Sequence, residues 1–84
     1  MMNETEIKRV VEDIKSELRE DFKVAGLNVK DEILAEAVGD TFDYDDICNY
    51  AKDPNTRYLL TIKLEAINKV FKHDIKDIVK ECRA

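Results

Sequence analysis

Apolar residues recur at intervals of three and four along most of the chain, which is the spacing of one face of an α-helix. The first series predicts a helix from about Glu4 to about Asp21, capped by Asn3 because Glu6 follows three residues later. Its apolar positions are Ile7, Val10, Val11, Ile14, Leu18 and Phe22. Its opposite face is predicted to be exposed to solvent and carries Lys8, Glu12, Lys15, Glu17 and Arg19.

A second, shorter helix is predicted after Gly26, which breaks the first series. Asn28 is a favourable N-terminal cap, so the helix is expected to run from about Val29 to about Val38. Gly39 follows at the position where helices commonly end. The residues expected to point inward are Ile33, Leu34, Ala37 and Val38.

A third helix is predicted from about Tyr44 to about Ala51, with Asp43 or Thr41 as its cap. Asp45 and Asp46 in its first turn suit the positive end of the helix dipole. Its apolar positions are Ile47 and Cys48 with Tyr50 or Ala51.

The fourth helix is predicted to follow Pro54, with Asn55 or Thr56 as its cap. A break is expected near His73, and a short fifth helix is expected from Asp74 with Ile75, Ile78, Val79 and Cys82 inside. The fourth helix is apolar over more than one face, which is typical of a central helix and is also compatible with a homodimer. These apolar residues are Leu59, Leu60, Ile62, Leu64, Ile67, Val70 and Phe71. No run of residues predicts a strand, so we expect an all-α fold: a compact bundle of four or five short helices in one domain, residues 1–84.

Composition and charge narrow the function. With 44% hydrophobic and 39% charged residues, the chain is too apolar to be disordered. It has no apolar run long enough to span a membrane and no secretory signal at its start, so we expect a cytoplasmic protein. The net charge of −5 is unevenly distributed. Residues 1–53 carry 15 Asp and Glu against 7 Lys and Arg, whereas residues 54–84 carry 4 against 7.

Catalytic and metal-binding motifs are weak. Cys48 and Cys82 fit no zinc-binding spacing, and His73 is the single histidine. Both cysteines occupy apolar helix positions, which favours small core residues over a nucleophile activated by a base. The two glycines form no phosphate-binding loop. We therefore expect no enzymatic activity, no cofactor and no metal.

Two stretches are similar to the phage Cro and repressor family of helix-turn-helix proteins. The stretch G-L-N-V-K-D-E-I-L-A-E-A-V-G, Gly26 to Gly39, resembles the family's second helix, although it is two residues longer between the glycines. The stretch L-E-A-I-N-K-V-F-K-H-D-I-K-D-I, Leu64 to Ile78, is similar to the family's fourth helix, turn and fifth helix. The resemblance implies a lambda-repressor-like helix-turn-helix arrangement that binds DNA through its third helix.

The charge of the third helix argues against that use. Its turn, Asp40 to Asp43, is longer than the family's tight turn, and Lys52 is the only basic residue of the helix region. DNA affinity comes largely from Lys and Arg, so carboxylates in this place would repel the duplex. The region instead predicts an acidic and aromatic surface for a protein partner, formed by Asp40, Phe42, Asp43, Tyr44, Asp45, Asp46, Asn49, Tyr50 and Asp53.

Such a surface attracts a basic partner and offers aromatic side chains as anchors. A basic partner that handles nucleic acid would make this protein a DNA mimic or inhibitor. The competing interpretation is that Phe42 and Tyr44 belong to the core and the aspartates are helix caps and turn residues. The alternative function is a Cro-like transcriptional regulator that binds DNA through a basic surface of Lys69, Lys72, Lys76 and Lys80.

Overall fold

The computed structural model describes the backbone of residues 2–83 and the side chains of residues 2–72. Within this backbone the chain forms four α-helices and no β-strand. The helices are α1 (Glu4–Val24), α2 (Asp31–Thr41), α3 (Tyr44–Lys52) and α4 (Arg57–Arg83). The predicted all-α class is confirmed, while the helix-turn-helix arrangement stays a prediction.

Local backbone contacts set both ends of α1. The Asn3 side chain accepts a hydrogen bond from the backbone N–H three residues later, at 2.9 Å, so it is the predicted cap. At the other end Gly26 has a φ of 83°, in the left-handed region that favours glycine. The N–H of Leu27 donates to the Phe22 carbonyl at 2.8 Å, and the N–H of Gly26 donates to the Lys23 carbonyl at 2.9 Å. These two bonds form a Schellman motif, which ends α1 about one turn later than predicted.

Lys15 joins α1 to α2, and its predicted place on a solvated face is wrong. It is only 6% exposed, and its Nζ lies 2.7 Å from Glu12 Oε1 and 3.1 Å from Asp31 Oδ1. Arg19 reaches the same Asp31 carboxylate at 2.8 Å. The hydrogen bond to Glu12 raises the pKa of Lys15, and the contacts with Asp31 raise it further while burial opposes them. A buried lysine is tolerated here because two carboxylates compensate its lost hydration.

The start and end of α2 differ from those predicted. Its cap is Lys30, which makes no side-chain capping bond, so the cap predicted at Asn28 is wrong. Gly39 lies inside the helix rather than at its end, and the space around its missing Cβ is open. The extra turn brings Phe42 into the core, where it is 5% exposed. The connection to α3 is Phe42 and Asp43 alone, so the longer turn predicted from Asp40 is also wrong.

The caps of α3 and α4 are side chains that the sequence identified. The Asp46 N–H donates to the Asp43 carboxylate at 2.9 Å, and the Asp43 N–H donates to the Asp46 carboxylate at 3.1 Å. This reciprocal pair is a capping box. The Leu59 N–H donates to the Thr56 hydroxyl at 3.3 Å, so Thr56 is the one of the two candidate caps for α4 that bonds to its first turn.

A single helix, α4, extends to the end of the described backbone. The break predicted near His73 is therefore wrong, and the short helix predicted from Asp74 is the C-terminal part of α4. The last proline of the chain is Pro54 and the last glycine is Gly39, so α4 contains neither of the strongest helix breakers. The inward positions predicted for this part lie outside the described side chains: Ile75, Ile78, Val79 and Cys82.

One core is shared by all four helices. Its buried apolar residues are Val10, Ile14, Leu18, Phe22, Leu34, Ala37, Val38, Phe42, Ile47, Tyr50, Leu59, Ile62, Ala66 and Val70. The predicted inward faces of α1 and α2 agree with this set, apart from Ile7, Val11 and Ile33, which are half-buried. Only part of the apolar surface of α4 is covered, because Leu60 and Leu64 remain exposed.

Candidate functional site

Three of the nine residues predicted to form the acidic and aromatic surface lie in the interior. Phe42, Asp46 and Tyr50 are 5%, 6% and 7% exposed, so these three side chains are buried in the fold and are not part of its exposed surface. The rings of Phe42 and Tyr50 pack edge to face, with centroids 6.3 Å apart. In a helix of nine residues with apolar side chains on several faces, the sequence pattern does not settle which aromatic residue points inward.

Asp46 holds the start of α3 against α4. Its carboxylate accepts hydrogen bonds from the Asp43 N–H at 3.1 Å and from the Tyr58 hydroxyl at 2.7 Å. Burial raises the pKa of Asp46, but the hydrogen bonds from Tyr58 and Asp43 outweigh it and hold the pKa below its ordinary value. The hydrogen bond to Asp46 also raises the pKa of Tyr58. Asp43 and Asp46 therefore have a structural role whether or not a partner binds.

Tyr50 joins α3 to α1, and a lysine of α4 joins the same cluster. The Tyr50 hydroxyl donates to Glu17. Lys63 Nζ lies 3.4 Å from Glu17 and 3.2 Å from Asp21. Burial raises the pKa of Tyr50, and the hydrogen bond and negative charge of Glu17 raise it further. This cluster keeps three helices in register.

The remaining six residues of the predicted surface are exposed: Asp40, Asp43, Tyr44, Asp45, Asn49 and Asp53. Tyr44 is 43% exposed, and its hydroxyl accepts from the Met2 N–H at 3.2 Å. Asp45 and Asn49 are one helical turn apart and share a face of α3. Asp40 stands apart from this group, because it lies on α2 and approaches Lys69 at 3.9 Å. We call Asp43, Tyr44, Asp45, Asn49 and Asp53 the α3 surface.

The basic residues proposed for DNA binding are only partly described. Lys69 and Lys72 are both exposed, and Lys69 Nζ lies 3.9 Å from a carboxylate oxygen of Asp40. The side chains of Lys76 and Lys80 lie outside the described part of the chain. Because α4 is unbroken, the backbone positions of all four lysines follow one another at intervals of three and four on a single helix.

A second exposed feature lies between α1 and α4. Leu60, Leu64 and Ile67 line a groove of about 320 Å³ together with Asp21 and Lys63. The sequence indicated this feature only as an excess of apolar residues on the fourth helix. Which of those residues the core covers depends on where α1 and α2 pack, and the α4 pattern alone does not show that.

Chemical sites are sparse in the described part of the chain. No group of three or more His, Cys, Asp or Glu side chains described in the structure is arranged to hold a metal ion. Cys48 is half-buried, and the side chains of His73 and Cys82 lie outside the described residues. None of the helices within the described range combines the length and apolar composition that crossing a bilayer requires. No protein-family model matches the chain, and neither a curated protein nor a solved structure matches it.

Proposed function

We propose that this chain is a non-enzymatic interaction protein that binds a basic protein partner through the α3 surface. The observation that supports this is the exposure of Tyr44 among carboxylates on a short helix whose start is held by a capping box. Aromatic side chains are frequent energetic centres of protein interfaces, and surrounding charge selects and steers the partner. A partner whose basic surface normally binds nucleic acid would make the protein a DNA mimic or inhibitor.

The hydrogen bonds that hold the backbone of this surface matter for affinity. Asp43 and Asp46 fix the first turn of α3, and Tyr50 fixes the opposite side of the helix on α1. A partner therefore meets side chains on an ordered backbone and spends little free energy on ordering it. The side chains of Asp45 and Asn49 take no part in these internal contacts among the described residues, so substitutions there test binding while the capping box and the Tyr50 contact stay intact.

A charge reversal at these positions tests the proposal. Asp45→Lys with Asn49→Lys should abolish salt-sensitive recovery of a partner from host lysate, since it replaces attraction with repulsion. The matched control is Glu65→Lys with Asn68→Lys, which makes the same charge change at exposed positions of α4. Equal recovery by the α3 variant and the wild type would remove the α3 surface as the binding site. Circular dichroism of both variants checks that helicity is retained.

The second candidate function is a Cro-like DNA-binding regulator, and the continuity of α4 favours it. An unbroken helix carries Lys69, Lys72, Lys76 and Lys80 at intervals of three and four, so no turn interrupts the basic series. Asp74, Asp77 and Glu81 interleave with these lysines and weaken any attraction to phosphate.

Fluorescence anisotropy with mixed-sequence duplex DNA separates the two functions. The interaction-protein function predicts no binding even at low salt. A regulator would show a negative slope of log affinity against log salt, and Lys72→Glu with Lys76→Glu would reduce that slope by about two. Lys52→Glu with Lys30→Glu provides the same charge change outside α4.

A further inference from the structure

An apolar row runs along α4 beside the core. Leu60, Leu64, Ile67 and Phe71 recur at intervals of four, three and four, so they lie on one side of the helix. Leu60, Leu64 and Phe71 are 47%, 61% and 42% exposed, and Ile67 is half-buried. Scattered exposed apolar residues are common on proteins, whereas a continuous row is a feature of interaction sites.

The C-terminal half of α1 forms a wall beside this row. Asp21 lines the groove opposite Leu60, Leu64 and Ile67. Further along, the Phe22 ring meets the Phe71 ring edge to face, with centroids 5.6 Å apart. The row therefore forms the floor of a groove, which we call the α1–α4 groove, and one wall of this groove is a fixed helix.

That wall carries excess negative charge. Asp13, Glu17 and Asp21 follow α1 at four-residue intervals and are all exposed. Asp21 lines the groove itself, and the other two continue the acidic series along α1. The lysine that bridges two of them, Lys63, is itself largely covered, with a side chain 19% exposed. A groove with an apolar floor and an acidic wall is complementary to a partner that has an apolar stripe with basic residues along one edge.

We propose that the α1–α4 groove binds one amphipathic helix of a partner protein, with its apolar stripe on Leu60, Leu64 and Ile67 and its Lys or Arg residues beside α1. Helices that bind in grooves place anchors at intervals of three and four residues, which is the spacing of the floor. A stable dimer of standard size buries roughly 800 Å² on each partner, which takes about 20 to 30 residues. The exposed row offers only four side chains on one helix. A single helix therefore suits the groove better than a second copy of the chain. This site lies outside the α3 surface and goes beyond the function proposed for it.

A pair of synthetic peptides tests the proposed chemistry on the full chain. One is a labelled helical peptide with Leu at three- and four-residue intervals and Lys at the flanking positions, and the other has Glu in place of every Lys. The Lys peptide should bind on the order of tenfold or more tightly, and its advantage should shrink as salt rises. Equal affinity for the two peptides, or no binding of the Lys peptide, overturns the proposal.

Variants locate the binding to the floor of the groove. Leu60→Ser with Leu64→Ser should weaken binding of the Lys peptide by about tenfold or more, because two apolar contacts are lost. Val24→Ser is the matched control, since Val24 is 89% exposed and does not line the groove. Unchanged affinity of the double variant overturns the proposal.

Charge variants locate the binding to the wall and separate this site from the α3 surface. Asp13→Asn with Asp21→Asn should weaken the Lys peptide and reduce its salt dependence, whereas Asp45→Asn with Asp53→Asn should leave both unchanged. The reverse pattern assigns the peptide to the α3 surface and overturns the proposal. Sedimentation velocity decides the other occupant: a dimer that Leu60→Ser with Leu64→Ser dissociates would show that a second copy fills the groove, and the proposal would fall. These charge variants also decide the case if the leucine variant fails to fold.

Discussion

At the scale of single residues, the three aspartates at the start of α3 divide into two groups with different tasks. Asp43 and Asp46 satisfy backbone and hydroxyl donors at the start of α3, whereas the carboxylate of Asp45 is exposed to water. Charge counted along the sequence treats the three alike. Their partners differ because the capping box fixes two of them and leaves the third on the outer face.

Asp46 should make the free energy of unfolding depend on pH in the acid range. Its pKa is lowered in the folded state, so it contributes stability that is present above the ordinary aspartate pKa of 3.8 and is lost as the pH falls through the lower folded value. Asp46→Asn should therefore lower the free energy of unfolding by about 1 to 2 kcal/mol at neutral pH and by less in acid. Urea titrations between about pH 6 and pH 2 measure this, with the pH range set by the carboxyl pKa.

The exposed Asp45 provides the control for that measurement. Asp45→Asn removes one carboxylate from the same helical turn but none of the hydrogen bonds that Asp46 makes, so it shows what the loss of charge alone does to stability. A parallel loss of stability in both variants would mean that general charge, and not the hydrogen bonds of Asp46, governs the acid response.

At the scale of elements, the ends of helices show how far local sequence determines structure. Asn3 caps α1 as predicted, and Asp43 and Thr56 cap α3 and α4 as one of the two candidates that the sequence offered for each. A cap depends mainly on the residue itself and on the next three positions, but the cap predicted at Asn28 is wrong. The predicted end at Gly39 and the predicted break at His73 are wrong. The favourable burial of Phe42 extends α2 past its glycine, and such long-range contacts are not visible in a local pattern.

The two glycines should respond in opposite ways to the same substitution. Gly39→Ala should raise the free energy of unfolding by about 0.5 to 1 kcal/mol, since Gly39 is inside a helix and nothing lies near its missing Cβ. Gly26→Ala should lower it by about 1 kcal/mol, because alanine is disfavoured at a φ of 83°. Thermal and urea unfolding measure both changes. A loss of stability in Gly39→Ala would contradict the helical placement of that residue.

The candidate site was less predictable than the helices. Six of the nine residues predicted for the acidic and aromatic surface are exposed. The other three, Phe42, Asp46 and Tyr50, are buried, and Asp46 and Tyr50 are bonded to α4 and α1. The burial of Lys15 was not predicted for the same reason. The residue lies among polar positions of α1, and its burial depends on a contact with Asp31 of α2 that the α1 sequence does not show. Periodicity gives the face of a helix, and packing then determines which borderline residues are covered.

At the scale of the whole molecule, ion pairs join helices that also share one core. Lys15 and Arg19 tie α1 to α2 through Asp31, and Lys63 ties α4 to α1 through Glu17 and Asp21. A chain of 84 residues buries a modest core. The carboxylates in the second group are about half exposed, so this tie should be sensitive to salt.

Replacing the lysine of that tie should weaken the molecule in a salt-dependent way. Lys63→Met should lower the free energy of unfolding by up to about 1 kcal/mol at low salt, and the difference should shrink at high salt. Lys72→Met is the matched control, because Lys72 is an exposed lysine of the same helix. Urea unfolding at low and high sodium chloride measures both. A salt-independent loss in Lys63→Met would assign the effect to its aliphatic stem instead.

The capping box of α3 also limits which substitutions the protein tolerates during evolution. A substitution at Asp43 changes the surface charge and also removes a cap of α3. Selection for a new partner at that position would therefore lower the stability of the fold. Asp45 and Asn49 are exposed, and their side chains do not belong to the capping box. In a library of all single substitutions sorted for folding alone, we expect Asp43 and Asp46 to be restricted and Asp45 and Asn49 to accept most residues, which would make the second pair the positions where new specificity arises.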